Sequence, residues 1–321
     1  METVLGTFQP YVPVHELWVI TVYYNPCGYK SRRSTYDTFI SSMRQSNQNV
    51  LTIECVFGDE PFELPGSPDV IKVRSASLLW QKERLINIGT QYLPPSCKYV
   101  AWIDCDVLFE NRYWATETCH LLSDSCTVVQ LFESCVRLNR DGSIGEIPDE
   151  AESFASVTTK DIPTLDCGRY DKHGHTGYAW AMRRELFDEL GLYEYAVSGS
   201  ADHFMAHAIY GTYGFCIENA LKHDPRQISH LTRWGDSFHS LAQGKLGAVS
   251  GIIYHLWHGS LDKRDYFRRM WKITELGFNP DTDLISLPGQ PLEWRPEVLQ
   301  NKPELVSYFA EYFESRQEDV E

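Results

Sequence analysis

A mainly parallel, doubly wound α/β sheet is the fold the sequence predicts, on three observations. Apolar runs rich in β-branched and aromatic residues recur between residues 17 and 132. Segments of helical periodicity separate them, and strands alternating with helices indicate crossover connections. One run, Tyr99–Ile103, leads straight into Asp104-Cys105-Asp106, and ligands of an open α/β sheet bind at the C-terminal ends of its strands.

Leu17–Tyr24 is the first strand and ends in the turn Asn25-Pro26-Cys27-Gly28. The basic cluster Lys30, Arg32 and Arg33 follows, and Ser34 is placed to cap a helix reaching Arg44. Val50–Phe57 is a second strand, stopped by Gly58-Asp59-Glu60-Pro61, and Val70–Val73 a short third. Leu78–Tyr92 has helical character and is ended by Pro94-Pro95; Tyr99–Ile103 is a strand, Trp114–Leu122 a helix and Thr127–Phe132 another strand. From Val136 to His175 periodicity is lost among Gly, Asp, Pro, Ser and Thr, which predicts a long loop inserted over the sheet. Gly177–Ala181 resumes as strand, Arg183–Leu190 and Ala201–Tyr210 as helices, and Ile252–Trp257 as strand. A basic amphipathic helix over Asp262–Leu276 and a polar-aromatic helix over Glu304–Glu318, packed on the outside, complete the prediction. No linker divides the chain, so one domain is expected: a nucleotide- and metal-binding half (17–134), an inserted loop (135–176), an acceptor half (177–276) and a C-terminal tail (277–321).

The chain of 321 residues is 43% hydrophobic and 23% charged, ordinary for a globular protein. No apolar stretch of about 20 residues occurs, and Met1–His15 lacks the basic and apolar regions of a secretory signal. A cytoplasmic protein with no membrane partner and no obligate protein partner is the expectation. The nine cysteines are scattered without a CxxC pair, so free buried thiols are expected rather than a zinc cluster of cysteines. A net charge of −15 argues against a broad nonspecific nucleic-acid surface, while leaving room for a local basic groove.

Strand alternation puts Asp104 and Asp106 on one side and Cys105 on the other. Paired carboxylates at a strand end suit Mg²⁺ or Mn²⁺, ions that keep phosphate oxygens as further ligands. With this triplet, Gly177-Tyr178-Ala179-Trp180-Ala181-Met182-Arg183-Arg184-Glu185, Ser198-Gly199-Ser200-Ala201-Asp202-His203 and His255-Leu256-Trp257-His258-Gly259 follow in order. From Leu17 to Met270 this succession resembles the GT-A-fold nucleotide-sugar glycosyltransferases of the DxD type. More narrowly, Trp80-Gln81-Lys82-Glu83, Ala101–Asp104 and Gly177–Ala181 resemble a microbial and phage branch similar to the TET-associated enzymes that glycosylate hydroxymethylated DNA bases.

The resemblance implies a GT-A-like, Rossmann-type mixed sheet and a hexosyl transfer from a nucleotide diphosphate donor, a UDP-sugar, to a hydroxyl acceptor with inversion. Modified DNA is one acceptor it implies. Asp106 would be the main metal ligand, and Asp104 would touch the metal or the donor ribose. His258 is the candidate third ligand and tilts the choice from Mg²⁺ to Mn²⁺, with His255 as its competitor. Asp202 is the candidate base taking the acceptor proton. Lys82, Asn87, Arg33 and Trp180 are candidate donor-binding residues.

Each assignment has a plainer alternative. Asp202 sits where an ordinary N-cap would, and the motif's usual second acid is replaced by His203. Lys30, Arg32 and Arg33 suit a solvated surface, as do Arg264, Arg268 and Lys272 at i, i+4 and i+8. Tyr178 and Trp180 offer an aromatic platform or simple core. His255 and His258 suit hydrogen-bonded structural histidines, and His173 and His175 ordinary loop residues. A metal-dependent hydrolase is the rival function: His203 and His207, at i, i+4, would join Asp104, Asp106 and His258. Phe204 stands where an HExxH motif has its glutamate.

Overall fold

The computed structural model describes residues 10–160, 165, 170–264 and 268–320. In chain order its elements are β1 (Leu17–Tyr23), α1 (Lys30–Gln45), β2 (Asn49–Phe57), β3 (Val70–Ser75), α2 (Lys82–Thr90), β4 (Tyr99–Ile103), β5 (Val107–Phe109) and α3 (Trp114–Asp124). Next come β6 (Val128–Gln130), β7 (Ser134–Arg137), β8 (Asp149–Glu152), α4 (Phe154–Thr158), α5 (Tyr170–His173), β9 (Ala179–Arg183), α6 (Arg184–Glu189), α7 (Ala201–Tyr210), α8 (Phe215–Ala220) and α9 (Pro225–Ala242). The chain ends with β10 (Leu246–Ala248), β11 (Ile252–His255), a 3₁₀ turn (Leu261–Arg264), α10 (Arg268–Glu275), β12 (Leu284–Ile285), β13 (Glu293–Trp294), α11 (Pro296–Asn301) and α12 (Pro303–Ser315).

The expected mixed α/β architecture is present. Seven strands form the main sheet in the order β10-β6-β9-β4-β1-β2-β3. All neighbours are parallel except β9, which runs antiparallel between β4 and β6. Apolar clusters cover both faces, Ile20, Val100 and Trp102 on one side and Val19, Ala101 and Ile103 on the other. That two-sided burial explains why β1, β2 and β4 are near-continuous apolar runs. β4 stops at Ile103, and Asp104–Asp106 leads into β5, so the acids stand at the sheet's C-terminal edge.

Four expectations are corrected. The segment 135–176 is not a bare loop: β7 and β8 join β5 and β11 in a second sheet, ordered β5-β11-β7-β8, beside the site. Residues 161–164 and 166–169 of that segment, with Cys167, lie outside the described residues. The first helix starts at Lys30 with Tyr29 at its N-cap, so Ser34 is inside it and the basic cluster forms its first turn. The helix expected over Asp262–Leu276 is a 3₁₀ turn followed by α10, with residues 265–267 between them outside the described residues. Arg264 is buried while Arg268 and Lys272 are exposed, so they form no common stripe. Finally, α12 is not an outer decoration. Leu305 and Phe309 are buried with Leu79, Phe278 and Trp294, and Tyr312 and Phe313 join the main core.

This docking of α12 gives a direct stability test. Phe309, fully buried, should cost about 3–5 kcal/mol on truncation to alanine. A helix lying loosely outside would lose no more than about 0.5 kcal/mol. Urea unfolding of Phe309→Ala distinguishes the two.

Candidate active site

One cleft of about 300 Å³ opens where β1 and β4 end, and the sequence's main candidates meet in it. Asp104, Asp106, Lys82, Asp202, His255 and His258 all line it. They divide into two adjoining groups.

The first is Asp106 with His255 and His258, each buried and each offering one ligand atom within 4.8 Å of the others. His258 Nε2 lies 2.8 Å from Asp106 Oδ2 and 3.1 Å from His255 Nε2. Asp106 Oδ1 is buried with no hydrogen-bond partner among the described residues. Burial alone would raise the Asp106 carboxyl, but His258, which hydrogen-bonds it, and the Arg264 guanidinium outweigh it and hold the group well below the usual carboxylate range. Burial keeps His255 neutral, well below its ordinary value. The Arg264 guanidinium donates to His258 Nδ1 at 2.7 Å and brings positive charge into the cluster, while His258 Nε2 donates to Asp106. Two imidazoles and a carboxylate, with one buried oxygen unused, fit a divalent transition ion such as Mn²⁺.

The second group is centred on Lys82 at the start of α2. Its Nζ lies 2.7 Å from Asp104 Oδ1 and 3.1 Å from Asp202 Oδ2. Asp104 thus shares the cleft but is engaged by lysine rather than standing in the metal-competent trio. Burial lifts its carboxyl to about 6, against the opposing pull of Lys82. Burial would lower Lys82, yet Asp104 and Asp202 raise it well above its ordinary value, so it is charged. Ser200, not Asp202, holds the N-cap position of α7, and the Asp202 carboxylate turns to Lys82. Gly199 has φ of +94°, and a Cβ there would lie 2.8 Å from the Arg269 guanidinium carbon, so this turn accepts only glycine.

The remaining candidates are placed differently. Arg33 turns outward to Asp37 and the Glu63 carbonyl; its neighbour Arg32 lines the cleft instead. Asn87 ties α2 to the following segment through the Leu192 backbone and Glu194. Trp180 is fully buried, its indole donating to the Thr176 carbonyl, so it is core. Tyr178 does line the cleft, stacked on His175 at 4.2 Å between ring centroids. His203 and His207 converge with His173 rather than with Asp104, Asp106 and His258, so the rival hydrolytic set is not assembled.

Sequence reading missed the rest of the cleft. Arg32 pairs with Glu318 through two bonds of 2.6 and 2.9 Å, and Arg316 reaches the same carboxylate at 2.6 Å. Burial opposes the Glu318 charge, but these arginines hold its carboxyl well below the ordinary range. Arg269 and Arg316 also lie against Trp80, 5.6 and 5.4 Å from its ring centroid. Arg32, Arg264, Arg269 and Arg316 therefore supply cationic donors facing the acids. The sequence set Arg32 and Arg264 in basic runs that equally suit a solvated surface, and gave no sign of Arg269 or Arg316.

Glu83, next to Lys82 on α2, is a further acid of the cleft. It is buried in the cleft wall, and burial pushes its carboxyl up to about 8.

The class so defined is an α/β protein with a charged, metal-competent cleft at its strand ends. No protein-family model matches the sequence, and no curated protein matches it. Among solved structures the chain is similar to a mutant Drosophila β1,4-galactosyltransferase 7 in complex with manganese, UDP-Gal and xylobiose, at 10% identity and a TM-score of 0.42, covering 90% of this chain and 98% of that one. It is also similar to mannosyl-3-phosphoglycerate synthase from Rubrobacter xylanophilus, at 12% identity and a TM-score of 0.39, over 91% of each chain. A third similar structure is 4-diphosphocytidyl-2C-methyl-D-erythritol synthase from Anaerococcus prevotii, at 13% identity and a TM-score of 0.33, covering 73% of this chain and 86% of that one. The cleft itself, not these likenesses, carries the function proposed below. No helix among the described residues is long and apolar enough to cross a membrane.

Glu83 has a pH signature of definite sign. The folded carboxyl keeps its proton up to about 8 while its ordinary value is 4.5, so stability falls as pH rises through that window. Glu83→Gln should melt at the wild-type temperature at pH 5 and above it at pH 8.5, measured by calorimetry on metal-free protein.

Proposed function

We propose that the protein is a metal-dependent glycosyltransferase. It takes a hexose from a nucleotide diphosphate donor, a UDP-sugar, and moves it to an acceptor hydroxyl with inversion. The observation that carries this is the meeting, in one cleft, of the Asp106–His255–His258 trio, the Lys82–Asp104–Asp202 group and a set of arginine side chains.

Asp106, His255 and His258 would hold Mn²⁺. The ion, when bound, would neutralise charge on the diphosphate leaving group. The arginines add fixed cationic donors for the same oxygens, which matters because charge grows there as the glycosidic bond breaks. Arg264 occupies the trio now and would turn from His258 to phosphate. Lys82 has the same option: moving from Asp202 to a phosphate oxygen, it would release the carboxylate to take the acceptor proton. Asp104, keeping its lysine contact, would accept from a donor ribose hydroxyl. The stacked Tyr178 and His175 offer an apolar, partly aromatic wall for a sugar or a base.

The acceptor is taken to be a hydroxyl, with hydroxymethylated DNA among the classes to screen beside glycans, small molecules and proteins. Four arginines and Arg137 in the cleft give an overall acidic chain the local positive ground that a DNA acceptor needs. A hydrolase using the histidines of α7 is disfavoured because they group with His173 and not with Asp106 and His258.

Two variants test the division of labour. Asp106→Ala should lower Mn²⁺-dependent UDP-sugar turnover by roughly 10²–10³-fold while the circular dichroism spectrum is unchanged. Turnover near wild type would remove Asp106 from the chemistry. Asp202→Asn should retain donor affinity by calorimetric titration and lose transfer by roughly 10²–10⁴-fold; unaltered transfer would leave Asp202 as a partner of Lys82 alone.

A further inference from the structure

In the cleft wall, where His203 is one of the lining residues, lies a second nitrogen-rich cluster that the proposed transfer reaction does not use. His203 and His207 project from one face of α7, at the i, i+4 spacing, and His173 meets them from the end of α5. All three are buried, and one ring nitrogen of each lies within 4.8 Å of the others. Ring centroids are 4.8 Å apart for His203–His207, 5.4 Å for His173–His203 and 5.5 Å for His173–His207.

Hydrogen bonding orients two of these rings. His173 Nδ1 lies 2.9 Å from the Gly174 carbonyl. A carbonyl only accepts, so Nδ1 carries the proton and Nε2 keeps the lone pair. The Thr212 hydroxyl donates to the His207 carbonyl and lies 3.2 Å from His207 Nδ1, so its oxygen accepts from that ring in the same way. His207 Nε2 is buried with no hydrogen-bond partner among the described residues. An outer oxygen fixing Nδ1–H while Nε2 faces a shared centre is the usual support of a metal-binding imidazole.

The backbone that carries His173 is held as firmly. Gly174 has φ of +78°, and a Cβ there would stand 2.5 Å from the Ser153 carbonyl oxygen, so no other residue fits. His175 N donates to the Glu152 carbonyl and its own carbonyl accepts from Phe154 N.

We propose that His173, His203 and His207 bind one zinc ion, with a water as the fourth ligand, at a buried site separate from the Asp106 trio. Imidazole nitrogens suit Zn²⁺, and ligands of a tetrahedral site with metal bonds of 2.0–2.1 Å stand about 3.3 Å apart, a modest contraction from the present span. The ion is structural. It pins the segment that supplies His175, Gly177 and Tyr178 to the helix that supplies Asp202, and all four residues line the cleft. Neither segment is then free to drift when Lys82 changes partners.

The test uses the full-length chain, purified without chelator, and reads metal rather than activity. Mass spectrometric metal analysis should give about one zinc per chain in wild type and in Asp106→Ala, and close to none in His207→Ala. Where His207→Ala does not fold, Co²⁺ is added to metal-stripped Asp106→Ala protein. The site predicts the intense visible bands of tetrahedral cobalt, abolished by equimolar Zn²⁺. Zinc retained at the wild-type level in a folded His207→Ala, or only weak octahedral cobalt bands in the Asp106→Ala protein, would overturn the proposal. Because the Asp106 trio is removed in that background, failure here does not bear on the proposed transfer reaction, and failure of Asp106→Ala to lose activity does not bear on this site.

Discussion

The cleft is organised by one constraint: the Asp106 carboxylate is buried at the end of β4 and has to be given positive charge. An unpaired buried carboxylate is among the most costly groups a protein can hold. His258 touches one of its oxygens, His255 stands beside the other, and Arg264 brings a guanidinium to the same ring. Each of these side chains comes from the segment after β10, so the C-terminal part of the chain completes a site begun by β4.

The same logic spreads outward. Asp104 and Asp202 would repel Asp106 and each other, and Lys82 is set between two of them. Glu318, carried in by α12, offsets the arginines that would otherwise repel one another, and in doing so ties Arg32 of α1 to Arg316 at the chain's end. Cation and anion therefore alternate across the cleft before any ligand enters. Such a surface suits a ligand that is itself multiply anionic, since a diphosphate can replace carboxylates as the partner of Lys82 and of the arginines without leaving a charge uncompensated.

Much of this was legible from residue order, for identifiable reasons. β1, β2 and β4 are buried on both faces, and their continuous apolar runs announce them. Asp106 was legible because a strand end fixes where it points, and Lys82 because a helix start does; His258 and Asp202 were named through the resemblance of their motifs. Legibility failed where the cause was nonlocal. β8, Asp-Glu-Ala-Glu, is exposed or half-exposed, so it has no apolar alternation to reveal it. The 18-residue α9 was missed although its signals are local: Asp224 caps it, Pro225 opens it, and Gln227, Leu231, Gly235, Phe238 and Ala242 form one buried stripe at helical spacing. Arg33 faces outward and Arg32 inward in the first turn of a helix capped at Tyr29, five residues before the expected cap Ser34, so the sequence had the wrong frame for the pair. Trp180 pairs with Trp102 across β9 and β4, and nothing in its own segment says which face is core. Glu318 sits in a charged terminus that by composition alone reads as solvated.

The account stands on Asp106, His255 and His258 acting together as ligands of one ion. Electron spin resonance of Mn²⁺ bound with UDP, on protein carrying ¹⁵N-histidine, tests this most directly. Hyperfine coupling to two histidine nitrogens, reduced to one in His258→Ala, is the predicted result. A spectrum of Mn²⁺ held by oxygen alone, identical in wild type and His258→Ala, would contradict it.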